Sequence, residues 1–178
     1  APRRQPLPNT EIYAQHLLGQ SRRLILGRPG LTILLLDDAS LRHSLTASLA
    51  AEFGTRVQDQ CTAPQENGVI SGSWAWWLQH LDQLPEPEQI IIGMLPIASL
   101  TCPITAARVD RLKHQGTDWF RSLLLPEALR LIPAAVAPLR RSGGRLAVLD
   151  GRLRGRSWGD QILQCLEPWQ PLNRLLPD

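Results

Sequence analysis

A chain of 178 residues, 43% hydrophobic and 20% charged, is sized for one domain around a single core and has the balance of a globular protein rather than a disordered or collagen-like one. No apolar run reaches the roughly 18 residues needed to cross a bilayer, and the start APRRQPLPNT lacks the apolar segment of a signal peptide, so a cytoplasmic chain without a membrane partner is expected. Net charge is +3, and of the 19 basic residues only Lys113 is a lysine.

The elements follow in chain order. Residues 1–10 hold three prolines and two arginines and read as a linker, leaving 11–178 as a single domain. The absence of a starting Met points to a piece cut from a longer protein. Apolar residues recur at Ile12, Leu17, Leu18, Leu24 and Ile25, which predicts a helix over about Glu11 to Leu26. Gly27, Pro29 and Gly30 then punctuate the chain. LTILLLDD reads as a buried parallel strand. Ser40 is a suitable N-cap for a helix from Leu41 to Phe53, which Gly54 closes. RVQDQ predicts a second, edge-like strand, CTAPQEN a loop, GVIS a third strand, and SWAWWLQHL a helical turn. QIIIGML is a further core strand. Two helices are expected near Ala106–His114 and Thr117–Leu123. A long helix is expected from about Pro126 to Arg141, kinked or split by Pro133 and Pro138. RLAVLD is the last strand and Trp158–Leu166 the last helix. Fully apolar strands alternating with helices predict an α/β layered domain with a mostly parallel sheet.

Several chemistries are excluded by absence. There is no G-x-x-x-x-G-K-[ST] loop, and the sole lysine is followed by His114, so the chain cannot build a complete Walker-type ATP site by itself. Gly143-Gly144 precedes a strand and reads as a tight turn. ILLLDD followed by a helix resembles the start of a phosphoreceiver domain. Ile92 and Gly93 stand where its acceptor aspartate is needed, however, and without a carboxylate there is no aspartyl phosphate. His16, His43, His80 and His114 are scattered and accompany no nucleophile elbow. Cys61, Cys102 and Cys165 are far apart and make no metal-binding spacing; they read as reduced structural thiols.

Two constellations remain. Arg140, Arg141, Arg145, Arg152, Arg154 and Arg156 form a run in which Asp150 is the one acidic residue. Such a run is a candidate footprint for nucleic acid or nucleotide phosphate, since guanidinium groups bind phosphate bidentately and stack on bases. Trp74, Trp76 and Trp77 lie within four residues, either as core packing or as a stacking platform for single-stranded bases.

Three blocks, covering about Leu31 to Pro168, resemble the second motor domain of DinG-like helicases, the bacterial relatives of the XPD helicases. GVISGSWAWWLQHL is similar to the family pattern G-x-x-x-G-[ST]-x-x-F-W-E-G-x-D, with matches at Gly68, Gly72, Ser73 and Trp77, and with Trp76 in place of Phe. Leu78, Gln79 and Leu81 replace its acidic residue, Gly and Asp. The stretch from Ile90 to Ala128 resembles the family strand, its L-P-[FI] turn, and N-P-F-R-x-x-x-L-P-x-A, through Leu95, Pro96, Pro103, Phe120, Arg121, Leu125, Pro126 and Ala128. LAVLDGRLRGRSWGDQILQCLEP resembles L-D-x-R-L-x-x-K-x-Y-G-x-x-x-L-x-x-L-P, through Asp150, Arg152, Leu153, Gly159, Leu163 and Leu166, with Trp158 for Tyr.

The resemblance implies a RecA-like three-layer domain that forms one wall of an ATP cleft and part of a single-stranded DNA track. The other wall would be an upstream motor domain of the same longer chain, with ATP and Mg as that parent's cofactors and DNA repair as its setting. In the family pattern Q-G-x-G-R-x-x-R, the same register here is PAAVAPLR. Pro133 replaces the Gln, Ala137 replaces the first arginine, and Arg140 keeps the second. Losing an arginine finger costs on the order of 10³-fold or more in rate, so no catalytic residue is assigned to this chain alone. A catalytically inactive nucleic-acid-binding or protein-interaction module is the alternative. Carried onto this sequence, Arg140 and Arg141 are the expected nucleotide-facing residues. Trp76, Trp77, Arg121, Arg152, Arg154 and Arg156 are the expected nucleic-acid contacts, and no metal ligand is expected.

Overall fold

The computed structural model describes residues 5–172. Five strands, β1 (Thr32–Leu35), β2 (Val57–Asp59), β3 (Val69–Gly72), β4 (Gln89–Ile92) and β5 (Arg145–Val148), form one sheet in the order β2-β3-β1-β4-β5. Every pairing is parallel, with Ile33 held between Ile70 and Ile90, and Ile90 beside Leu146. The β2 strand lies at an edge, as its mixed composition predicts.

Strand side chains alternate between two layers. Ile33, Leu35, Ile70, Ile90 and Ile92 pack toward α3 (Trp74–His80), α5 (Leu125–Ser142) and α7 (Gly159–Cys165). Leu34, Leu36, Val69, Ile91, Ala147 and Leu149 pack toward α1 (Tyr13–Leu26) and α2 (Ala39–Phe53). Because both faces are covered, period-two alternation vanishes and each strand reads as a continuous apolar run. The result is the expected three-layer α/β domain of RecA-like kind. The chain leaves β1 through α2 on one face, and leaves β3 and β4 through helices on the other. In sheets wound this way, ligands bind outside the carboxyl ends of the strands where the winding reverses.

Helix boundaries depart from expectation in instructive ways. Helix α2 begins at Ala39, and its cap is Asp38 rather than Ser40: the Asp38 carboxylate accepts the Leu41 N–H at 2.9 Å. A carboxylate directly after the strand satisfies that donor and also meets the positive end of the helix dipole. Residues 5–10 are not a free tether either, since the Gly151 N–H donates to the Pro6 carbonyl at 3.2 Å. A short helix, α6 (Arg152–Gly155), occupies the basic segment after β5.

The largest correction concerns the long helix. Pro133 and Pro138 neither split α5 nor end it; it runs unbroken to Gly143, where the chain turns left-handed at φ 66°. Each proline removes one ladder hydrogen bond, yet the buried stripe Leu125, Ala128, Ile132, Ala135, Val136 and Leu139 holds the helix on the sheet. Trp77 also donates its indole N–H to the Ala135 carbonyl at 2.8 Å. Upstream, the expected separate helix near Thr117–Leu123 is a π-turn, Phe120–Leu124, that leads directly into α5. The joined segment, Phe120–Ser142, is long and apolar enough by length and composition to cross a membrane, but 44% of its apolar 18-residue stretch is buried inside the fold. Its apolar stripe is committed to the sheet.

Two glycines mark close approaches. A Cβ on Gly72 would lie 2.6 Å from the Trp76 ring, and one on Gly159 would collide with the Leu153 carbonyl oxygen. Gly19, inside α1, has nothing within 4 Å of its would-be Cβ. Gly159→Ala should therefore lower stability by about 1–3 kcal/mol through overpacking. Gly19→Ala should raise it by roughly 0.5–1 kcal/mol through helix propensity. Urea unfolding of both variants measures the pair of opposite shifts.

Candidate functional site

At the carboxyl edge of the sheet, one carboxylate joins two segments. Asp150, directly after β5, is fully buried at 0% exposure. It accepts the Leu95 N–H at 2.9 Å and the Arg152 N–H at 2.9 Å. It also takes the Arg152 guanidinium on both oxygens, at 2.6–3.0 Å. Arg152 in turn donates to the Leu95 carbonyl at 3.3 Å. The Leu95-Pro96 turn after β4 is thereby clamped to the start of α6. Nearby, the Tyr13 hydroxyl donates to the Gly93 carbonyl, and burial followed by the Asp150 charge pushes the phenol well above its usual range. One turn on, His16 stacks on Tyr13, and burial holds its imidazole below its ordinary range.

Arg152 was expected among the free phosphate contacts. Its side chain is 19% exposed, with Nε and Nη2 held by Asp150 and Leu95, so it is engaged inside the domain rather than free.

The tryptophans divide. Trp74 is buried and donates to the Met94 carbonyl at 2.9 Å. Trp77, expected to contact nucleic acid, is 0% exposed with its indole N–H satisfied by Ala135, so it cannot offer a ring face to a base. Helical spacing is the reason: Trp74 and Trp77 are three apart and share the core-facing side of α3. Trp76 points elsewhere, half-buried, with one part of its ring over Gly72 and His80 stacked on it at 5.2 Å. Ser73 caps the helix by accepting the Trp76 N–H at 3.2 Å.

The run of arginines is not one patch. Strand β5 lies between its halves, and about 3.3 Å per residue carries the chain from one edge of the sheet to the other. At the amino edge, Arg140 donates to the Leu166 and Glu167 carbonyls at 2.9 and 3.1 Å, tying α5 to the end of α7. Arg141 pairs with Glu86 at 2.7 Å, both well exposed. Arg145 donates to Gln89 at 2.9 Å and to the Leu24 carbonyl at 3.0 Å. Burial, and then its neighbour Arg28, hold its pKa below the usual value. At the carboxyl edge, Arg154 and Arg156 are exposed, and no ion pair or side-chain hydrogen bond holds either one among the described residues. Arg121 is exposed and only loosely paired with Asp118, at 3.7 Å.

Pro133 and Ala137 are half-buried in α5 and bring no cation to their positions on that helix. Among the described residues there is no group of three or more His, Cys, Asp or Glu arranged to hold a metal. An ATP–Mg unit therefore finds a partial fit here: exposed guanidinium groups for phosphate, but no loop and no metal carboxylates. Cys61 and Cys165 are half-buried, as structural thiols should be, whereas Cys102 is exposed at the start of helix α4 (Pro103–His114).

What the sequence reading missed is an aromatic group beside the free arginines: Trp119, Phe120 and Trp158, with Lys113 over Trp119. Phe120 and Trp158 carried a signal singly, through the aromatic positions of two separate blocks, whereas Trp119 carried none. The chain matches no protein-family model and no curated protein.

Two measurements test the clamp. Removing either partner leaves a buried charge uncompensated, so Asp150→Ala and Arg152→Ala should each cost about 3–5 kcal/mol by chemical denaturation. The second test concerns His16. Its folded pKa lies below the roughly 6.5 of an unfolded chain, so the folded state binds fewer protons and stability rises with pH. Stability should be full above that value and should fall as pH drops below it, and His16→Gln should flatten this part of the pH profile.

Proposed function

We propose that this chain is the C-terminal RecA-like domain of a DinG-like ATP-dependent DNA helicase with degenerate ATP motifs, working in the cytoplasm as part of a longer protein. The Asp150 clamp carries this reading. It joins the Leu95-Pro96 turn of one family-like block to Asp150 and Arg152 of another, 55 residues away, although nothing in the linear sequence requires the two blocks to meet. Gly72 and Gly159 add support, since both sit where a Cβ does not fit and both fall on glycines of the family patterns. Adjacent parallel strands bring their following turns to one edge in any sheet, so the support lies in which residues bond there, not in their meeting.

In this reading the chain contributes two surfaces. The amino edge, with Arg140 and Arg141, faces the upstream motor domain, which would hold ATP and Mg and supply the phosphoryl-transfer chemistry. Arg141 is the better placed of the two: an ion pair exposed on both sides is worth at most about 1 kcal/mol, so Glu86 is readily exchanged for a phosphate. The carboxyl edge, with Trp76, Arg121, Arg154 and Arg156, faces the single strand. Ala137 and Pro133 make turnover slow, because neither side chain stabilises charge on a transferring phosphoryl group.

One observation favours the second reading, a catalytically inactive nucleic-acid-binding or protein-interaction module. Arg140, the arginine kept from the ATP-sensing pattern, already binds two carbonyls of its own domain.

The test uses the longer protein carrying its upstream motor domain. ATP turnover stimulated by single-stranded DNA should be slow, and Ala137→Arg should raise kcat on the order of 10²-fold or more. Arg141→Gln should weaken nucleotide binding at least several-fold. DNA binding with no turnover in either the parent or Ala137→Arg would replace the motor reading with the module.

A further inference from the structure

We propose that Trp119, Phe120 and Trp158, with Lys113 over the Trp119 ring and Arg121, Arg154 and Arg156 close to them in sequence, form a base-stacking site for single-stranded nucleic acid. The inference rests on the nucleic-acid side of the helicase reading and not on its ATP chemistry.

The backbone gives the first reason. The Leu125 N–H donates to the Phe120 carbonyl, an i→i+5 bond that widens one turn before α5 begins. Such turns pack less well than α-helix, are rare, and cluster at functional sites. Here Leu124 and Leu125 are buried and anchor the turn, while Trp119 and Phe120 remain half-exposed at its start. An uninterrupted α-helical register would rotate these residues to a different face.

The rings give the second. Phe120 and Trp158 lie 5.4 Å apart, and Trp119 meets Phe120 edge-on at 6.1 Å. Trp158 packs partly on the core, but Trp119 and Phe120 belong to neither core cluster. Both rings keep part of their surface exposed outside the core, in contrast to the fully buried Trp74 and Trp77.

Charge gives the third and selects the occupant. The Lys113 ammonium stands 5.8 Å from the Trp119 ring centre. Arg121 follows Phe120, and Arg154 and Arg156 precede Trp158 by four and two residues. The carboxylates nearby, Asp110 at 3.5 Å from Lys113 and Asp118 at 3.7 Å from Arg121, hold their partners loosely at exposed positions. Cations beside flat apolar faces match a polyanion whose own flat faces are unpaired. Duplex DNA offers the phosphates but hides the faces, whereas a single strand offers both.

The experiment uses the 178-residue chain and fluorescence anisotropy of a labelled oligo-dT of about 16 nucleotides, titrated at several salt concentrations. Trp119→Ala should weaken binding roughly 5- to 150-fold without changing the salt slope. Trp119→Tyr, which keeps an aromatic face, should restore most of the affinity and shows that the loss is not misfolding. Arg154→Gln with Arg156→Gln should instead lower the log–log salt slope by up to about 1.4, at roughly 0.7 per phosphate contact. A duplex should bind without dependence on Trp119.

The inference is overturned if wild-type chain binds no oligo-dT at low salt, or if Trp119→Ala binds as wild type does. It is also overturned if poly-glutamate outcompetes oligo-dT in a Trp119-dependent way, which would assign the surface to an acidic protein. A loss at Trp76→Ala with none at Trp119→Ala removes this site while leaving the helicase reading intact. Trp119-dependent binding combined with an ATP-inert parent removes the motor reading and leaves this site standing.

Discussion

A carboxylate withdrawn from water costs several kcal/mol unless its charge is paired and its lone pairs are satisfied, and Asp150 is withdrawn completely. Four donor groups from two segments meet that demand: the Leu95 and Arg152 amides and two nitrogens of the Arg152 guanidinium. Because the penalty for losing any of them is large, the turn after β4 and the helix after β5 have little freedom to move apart. The carboxyl edge of a parallel sheet is otherwise a set of separate loops. Here two of those loops are held as one rigid rim, and the half-exposed groups at that edge inherit fixed positions.

The same constraint sorts the arginines. A guanidinium is a structural part when its donors are consumed inside the domain and a potential ligand when they are not. Arg152 and Arg140 are engaged inside the domain, by a buried carboxylate and, through Nη2, by two helix-end carbonyls. Arg145 is consumed by Gln89 and Leu24. Arg154 and Arg156 hold no side-chain partner among the described residues. Six positions that look equivalent in a run of basic residues thus have different chemistry, and strand β5 places them at opposite edges of the sheet.

The long helix shows how packing overrides local propensity. Two internal prolines should weaken it by about 3 kcal/mol each in isolation. In the folded domain, five buried side chains of α5 belong to the core cluster on the sheet, and an indole N–H from Trp77 reaches the Ala135 carbonyl between the two prolines. Isolated helices draw little stability from their own hydrogen bonds compared with tertiary packing of an apolar face, so the loss of two ladder bonds does not decide the outcome. Pro133 and Pro138 are accordingly compatible with an intact helix.

Much of the architecture was legible in the linear sequence. Runs such as TILL and QIII are apolar on both faces because each strand lies between two layers, and that alone predicts a parallel, helix-covered sheet. Strand and helix order followed from the same patterning. Element ends were less legible: Asp38 and Ser40 are both competent caps, and only the exit angle of β1 decides between them. The site was legible only in part. Sequence gives the type and spacing of Arg152, Trp77 and Arg140, but whether a donor or a ring is free depends on what the distant chain brings to it. Leu95, Ala135 and Leu166 are 57, 58 and 26 residues away from those three. No local rule reports such partners, because hydrogen-bond satisfaction and burial are settled by the packing of segments remote in sequence. Composition and periodicity determined the layers of this protein; tertiary structure decided which of its cations and aromatic rings remain available to a ligand.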